Sequence, residues 1–363
     1  MSGSPEPAID CIGRLVPATL RALHALEFAG RHLAPDTIAR LVEAMEDREP
    51  ALRAALAQSR DTAWPERLQP VRDCLEPAAE AAADGIAALG AALEAPQPIV
   101  AAYRAMRGYA TAAEAIYPLS AVLKPVSQFF LEPSCRDDDG LIQRLAAVDA
   151  PENTVGVMHV GGPAGTRGAF SLYVPETYDP GRAHPLIVAL HGGSGNGGAF
   201  LWSWLREARS RGAILLAPTA IGSTWSLMDP DVDGPSIDAM VGQVMDGWSI
   251  DPRRLLLTGM SDGGTFTYVL GLRAGCRFTH LAPVAAAFHP MLMTFADPGR
   301  LRGLPLYIVH GAQDWMFPAT LSQQAARLLG DAGAAVTHRE IADLAHTYPR
   351  DANAALLDWF LPT

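Results

Sequence analysis

Apolar side chains recur at intervals of three and four between residues 75 and 93, at Leu75, Ala79, Ala82, Ile86, Leu89 and Leu93. That spacing predicts one face of a helix, with Pro77 near its start. A second helix is expected to carry Ile99, Tyr103, Met106, Ala110, Ala113 and Tyr117 on its inner face. Shorter helices near 10–29 and 36–59 would complete a bundle, whose core requires such stripes. No chemistry accompanies them. The charged run 132–140, which contains Pro133 and Gly140, marks a loop. The domain boundary is therefore expected near 150, with a helical domain over 1–149 and a second domain over 150–363.

Beyond that point the pattern changes. Residues 155–160 and 169–174 are short β-prone runs separated by a glycine-rich turn, and predict an antiparallel pair. Continuous apolar runs follow at 186–190, 214–217, 255–258, 281–287 and 306–309, with a further strand expected at 336–341. Helix-like sequence or loops separate them. Buried strands alternating with helices predict a mainly parallel sheet covered on both faces. The fold class is α/β, preceded by an all-α domain.

Composition narrows the functions open to such a chain. Of 363 residues, 49% are hydrophobic and 18% charged, as in ordinary globular proteins. A formal charge of −11 without a local Lys/Arg cluster argues against a nucleic-acid partner. Every apolar run is interrupted before the roughly 18 residues that a membrane span needs. The opening Met1-Ser2-Gly3-Ser4-Pro5-Glu6-Pro7 lacks the pattern of a secretory signal, so a cytoplasmic location is expected. Cys11, Cys74, Cys135 and Cys276 lie far apart without metal-ligand spacing, and no metal is expected.

The chemistry gathers around Leu255-Leu256-Leu257-Thr258-Gly259-Met260-Ser261-Asp262-Gly263-Gly264, a strand that enters Gly-x-Ser-x-Gly and continues into helix-like sequence. This is the context of a nucleophile elbow, in which a tight turn exposes the serine and small neighbours let backbone pass close by. The fold expected is therefore the α/β-hydrolase fold. A serine hydroxyl needs a base to take its proton and a carboxylate to orient that base. In this fold both follow the serine, on loops after later strands. Asp314 follows the strand at 306–309, and His346 follows that at 336–341. His289 competes for the base and Asp343 for the acid, although Asp343 has the spacing of a turn cap. His159, His280 and His338 sit in or beside strands, and His310 precedes a tight turn. Asp262 serves through its N–H as one oxyanion donor, and Gly193 supplies the second from the loop His191-Gly192-Gly193-Ser194, with Ser194 as the alternative. Neither a metal nor an organic cofactor is required. Phe200, Trp202, Trp204, Trp225, Met228, Trp315, Met316 and Phe317 belong to loops that should surround Ser261. No more than half are expected to line an apolar or aromatic pocket, the others being ordinary core, with Trp202, Trp225 and Trp315 chosen as substrate contacts.

From about residue 155 onward the chain resembles serine esterases of the polyhydroxybutyrate-depolymerase and feruloyl-esterase type. The resemblance rests on Leu190-His191-Gly192-Gly193, Asp251-Pro252-Arg253-Arg254, residues 259–264, His310-Gly311-Ala312-Gln313-Asp314 with Phe317-Pro318, and Ala345-His346-Thr347-Tyr348-Pro349. It implies a triad of Ser261, Asp314 and His346, and hydrolysis of a neutral small-molecule or oligomeric ester. Ala345 and Tyr348 replace the Gly and Trp common in the family's histidine motif, and the helical domain lies outside its pattern. Two other readings stand beside this one. A thioesterase or peptidase could use the same triad, and a non-catalytic scaffold could bind a partner through the helical domain. That domain is expected to cap the site, dock through the Pro-broken apolar segment 117–131, or support a homo-oligomer.

Overall fold

The computed structural model describes residues 6–147 and 154–361, and the chain divides into two units, Met1–Ala147 and Val148–Thr363. The first unit is helical: α1 (Glu6–His32), α2 (Ile38–Glu43), α3 (Arg48–Asp61), α4 (Gln69–Ala91), α5 (Pro98–Ala105), α6 (Arg107–Ile116), α7 (Lys124–Phe129) and α8 (Asp139–Ala146). The expected helix at 10–29 is longer than its stripe, and that at 36–59 is two helices. In α4 the buried face is the one the spacing gives, but its start is not. Pro70 occupies the first turn, where a missing N–H costs nothing, while Pro77 lies inside. Leu93 falls past the helix end and is 42% exposed.

The second expected helix is interrupted at Met106, and only the later half of its expected inner face is buried. Ala110, Ala113 and Tyr117 of the expected face are buried together with Ala102, Ala105, Tyr109, Ala112 and Ile116, while Ile99, Tyr103 and Met106 are only half-buried. α4 and α6 cross closely, where a Cβ on Gly108 would stand 2.7 Å from the Gly85 Cα. Only small residues fit at the crossing itself, while Tyr109 and Ile116 are buried elsewhere on α6. The segment 117–131 forms a 3₁₀ turn (Tyr117–Ala121) and α7. Its aromatic rings pack within the unit: Phe129 lies 4.9 Å from His24, and Tyr117 lies 5.2 Å from Phe130.

The second unit contains β1 (Gly156–Val160), β2 (Phe170–Val174), β3 (His184–Leu190), α9 (Gly197–Leu201), α10 (Leu205–Arg211), β4 (Ile214–Pro218), α11 (Asp233–Gly247), β5 (Ile250–Met260) and α12 (Asp262–Gly271). It continues through β6 (His280–Val284), α13 (Leu292–Phe295), α14 (Pro298–Leu301), β7 (Pro305–Gly311), α15 (Thr320–Asp331), β8 (Ala335–Ile341) and α16 (Asn353–Phe360). The eight strands lie in the order β1-β2-β4-β3-β5-β6-β7-β8. β1 pairs with β2, and β2 with β4, antiparallel, and all later pairings are parallel. This is the α/β-hydrolase fold. β3 and β4 are buried along their whole length, as strands covered on both faces must be. The apolar run at 281–287 overstates β6, which ends at Val284 because Ala285 turns to a φ of 46°.

The sheet order decides where the chemistry can gather. Leu190 pairs with Gly259, and Met260 with Val284, so the loops that leave β3, β5 and β6 start side by side. Such a carboxyl-end crevice is where ligands bind in open α/β sheets. Among the described residues, no helix is long and apolar enough to cross a membrane. All four cysteines are free thiols, with Cys11 buried and the others half-buried.

Candidate active site

Ser261 sits between β5 and α12 with φ 56° and ψ −118°, a backbone conformation that non-glycine residues seldom adopt. Its N–H donates to the Val284 carbonyl at 2.9 Å, and its own carbonyl accepts from the Thr265 N–H at 2.8 Å. The turn closes so tightly that a Cβ on Gly259 would stand 2.5 Å from the Gly263 backbone. One on Gly263 would stand 2.4 Å from the Leu190 carbonyl oxygen. The two glycines of Gly-x-Ser-x-Gly are thus there for close approach of backbone, not for special dihedrals.

The loop after β8 brings His346 to the serine, and the loop after β7 brings Asp314 to the histidine. His346 Nε2 lies 3.0 Å from Ser261 Oγ, and Nδ1 lies 2.8 Å from Asp314 Oδ2. All three residues are buried. Asp314 Oδ1 accepts from the N–H groups of Met316 (2.9 Å) and Phe317 (2.7 Å). Burial opposes ionisation of Asp314, but bonds from His310, His346 and the Phe317 N–H outweigh it and hold the carboxyl far below the usual range. The rivals lie elsewhere: Asp343 is exposed, and His289 is exposed with its Nδ1 accepting from the Met291 N–H.

His310, read from sequence as a turn residue, has a second role. It is fully buried, with Nε2 2.8 Å from the Phe317 carbonyl oxygen and 3.4 Å from Asp314 Oδ2. Its Nδ1 has no partner among the described residues. Nε2 must therefore carry the proton, donating to the carbonyl while it faces the carboxylate. Phe317 packs its ring edge-on to His346, with centroids 5.1 Å apart. Tyr348 stands between the rings of Phe200 and Trp204 and donates to Asn353 Oδ1 at 2.8 Å, anchoring the histidine loop. His310 belongs to the 310–314 motif, but its bond to the Phe317 carbonyl is not read from it, and no motif marks Asn353, whose amide donates to the distant Ser203 carbonyl and Glu207.

The glycine-rich loop after β3 lies against the elbow. The Ser194 N–H is taken by the Ser223 carbonyl at 3.0 Å, which removes it as a donor. The N–H groups of Gly193 and Asp262 have no acceptor among the described residues. Gly193 is exposed and Asp262 half-buried. A Cβ on Gly193 would stand 2.7 Å from Asp262 Oδ2, so the loop passes close against that carboxylate. Of the three tryptophans expected at a pocket, Trp225 belongs to the core: it is buried, stacks on Phe266 and donates to the His191 carbonyl at 2.7 Å. Its indole holds the loop instead of presenting a free face. Trp202 is also buried, whereas Trp315, beside Asp314, is 44% exposed.

Elbow, histidine loop and acid loop together define the class: an α/β-hydrolase fold in which a serine, a histidine and an aspartate form one hydrogen-bonded series. No family model matches the chain. Feruloyl esterase C of Emericella nidulans is 30% identical over 156 residues, which make up 41% of this chain and 56% of that enzyme. A bifunctional acetylxylan esterase/xylanase of Neocallimastix patriciarum is 30% identical over 154 residues, 39% of this chain and 21% of that protein. The chain thus spans about half the length of the feruloyl esterases it matches, and its similarity is to esterases of that type. Among solved structures, a phospholipase/carboxylesterase from Dyadobacter fermentans has a TM-score of 0.43 at 18% identity, covering 57% of this chain and 96% of its own. A fluorophosphonate-binding serine hydrolase from Staphylococcus aureus has a TM-score of 0.45 at 16% identity, covering 57% and 98%.

Proposed function

We propose that this protein hydrolyses carboxylic esters through an acyl-enzyme on Ser261. The observation that carries the reading is the unbroken series from Ser261 Oγ through His346 to Asp314, set on a strained elbow. His346 Nε2 takes the Ser261 proton as Oγ attacks the ester carbonyl. The tetrahedral oxyanion is received by the N–H groups of Gly193 and Asp262. His346 then gives the proton to the departing alcohol, and water repeats the cycle to release the acid. Asp314, held ionised, keeps the proton of the resting imidazole on Nδ1 and stabilises the imidazolium.

The substrate proposed is a neutral ester with an apolar or aromatic part. Similarity to feruloyl esterases supports this, as do the exposed Trp315 and Met316 and the half-buried Phe317 on the acid loop. A fluorophosphonate should label Ser261 alone. A panel of esters varied in acyl length and aromaticity, with matched thioester and amide, reads the preference. Absence of both labelling and ester turnover in folded protein would remove the proposal.

A further inference from the structure

We propose that Thr224, acting through the Asp262 carboxylate, is a positioning residue that sets the Gly193 N–H of the oxyanion hole. This rests on the ester-hydrolase reading above. The loop leaving β3 contains two consecutive glycines, Gly192 and Gly193, and such backbone does not hold one conformation unaided. Its order is imposed by the loop that follows β4. The Ala220 N–H donates to His191 Nε2 at 3.1 Å, Trp225 Nε1 donates to the His191 carbonyl at 2.7 Å, and the Ser194 N–H donates to the Ser223 carbonyl at 3.0 Å. These bonds fix the residues on either side of the glycine pair. Gly193 itself is confined from one side by the Asp262 carboxylate, whose Oδ2 stands 2.7 Å from where its Cβ would be.

That carboxylate is in turn held by a single bond. Thr224 Oγ1 donates to Asp262 Oδ2 at 2.5 Å, and the same hydroxyl lies 4.0 Å from the vacant Cβ position on Gly193. No other hydrogen bond to the Asp262 side chain is made among the described residues. Asp262 also provides the second oxyanion N–H, so the Thr224 hydroxyl ties both donors into one arrangement. The bond has an electrostatic effect too. A carboxylate beside the oxyanion opposes the negative charge that develops there, and a donor fixed on Oδ2 draws that charge toward Thr224. The brace is anchored farther back by buried Asp233, whose carboxylate accepts from the Ile221 N–H at 2.9 Å and the Ser226 N–H at 2.7 Å.

Thr224→Val keeps the shape and removes the donor. Its expected effect on a p-nitrophenyl ester is a fall in kcat of about 10- to 100-fold with KM changed by no more than about threefold, because the geometry lost serves the oxyanion and not the bound ester. A matched trifluoromethyl ketone, which forms the tetrahedral adduct, should lose affinity by the same factor. Thr224→Ser should restore both. Asp262→Ala should lose kcat comparably, and the double variant should lose little more than either single one, as for two groups in one interaction. A Thr224→Val protein with parental kcat, or with reduced kcat and parental ketone affinity, would overturn the inference. Additive losses in Thr224→Ala and Asp262→Ala would do the same even if the valine variant did not fold. A parent protein that neither turns over the ester nor binds the ketone would instead sink the esterase reading beneath it.

Discussion

Ser261 is tied to Val284: the elbow residue donates its N–H to the Val284 carbonyl at 2.9 Å while its own φ stands at 56°. A backbone held in that region is strained by any Cβ, and strain of this kind collects where a reacting group must be presented. Two replacements separate chemistry from strain. Ser261→Ala and Ser261→Gly should each lower ester turnover by roughly 10⁴- to 10⁶-fold, since both lack the hydroxyl. Glycine should nevertheless be the more stable of the two by about 1 kcal/mol, reversing the order seen at ordinary positions. Denaturant titration of both variants checks this, and an alanine variant as stable as the glycine one would deny the strain.

Asp314, and not Asp343, faces His346 Nδ1. Asp314→Asn should keep the fold and cost roughly 10⁴-fold in turnover, because an amide at that position favours the wrong imidazole tautomer. Asp343→Asn, at an exposed position, should leave turnover within about twofold of the parent, as for surface substitutions. Steady-state kinetics on one ester decides it, and a reversed order would move the acid to Asp343.

Gly193→Ala tests the oxyanion loop directly. The added methyl would meet Asp262 Oδ2 at 2.7 Å, so either the carboxylate or the loop must shift. Loss of one oxyanion donor typically costs about 10²- to 10³-fold in kcat, and a displaced donor should approach that. Burst kinetics would place the loss in acylation with substrate binding retained. A variant with the parent's kcat would show that the Asp262 carboxylate yields to the methyl without moving the Gly193 N–H.

What the residues disclosed on their own follows from how local each signal is. The elbow was legible because strand, turn glycines and helix are consecutive, and Asp314 and His346 because the fold orders the loops that carry them. Gly193 and Ser194 could not be separated by sequence, since the choice depends on the Ser223 carbonyl, which comes from another loop. Trp225 reads as a pocket residue by its position on a loop, yet its indole N–H finds the His191 carbonyl and its ring finds Phe266. Pro77 reads as a helix start because proline favours first turns. The buried neighbours Leu75, Ala78 and Ala79 show that packing carried α4 through it. On α5 and α6 the expected inner face is buried at Ala110, Ala113 and Tyr117 but not at Ile99, Tyr103 and Met106, near a glycine-on-glycine crossing that the apolar spacing does not show.

The last prediction concerns acid stability and follows from His191 beside the oxyanion loop. Its ring is 1% exposed, and burial holds its pKa down to about 4, with Arg167 lowering it further and the Gly192 carbonyl, Asp233 and Asp262 opposing. The neutral ring is fully used: Nδ1–H donates to the Gly192 carbonyl at 2.7 Å, and Nε2 accepts from the Ala220 N–H at 3.1 Å. Protonation would set a second N–H against that of Ala220. In the unfolded chain the same imidazole titrates near 6.5, so between about pH 6.5 and 4 the unfolded state binds the proton and the folded state does not. Stability must then fall as pH is lowered through that window, by roughly 3 kcal/mol in all, since each tenfold difference in proton affinity is worth about 1.4 kcal/mol. The ionised Asp314 acts in a separate window. Its depressed pKa contributes stability above about pH 4, which is lost only at lower pH. His191→Gln removes the largest histidine contribution, so its unfolding free energy should fall less steeply than the parent's from about pH 6.5 to 4.5, the remaining slope coming from His280 and His338, whose pKa values burial also lowers. Denaturant titrations of both proteins at half-unit steps of pH measure the difference, and parallel curves would show that the buried imidazole is not its source.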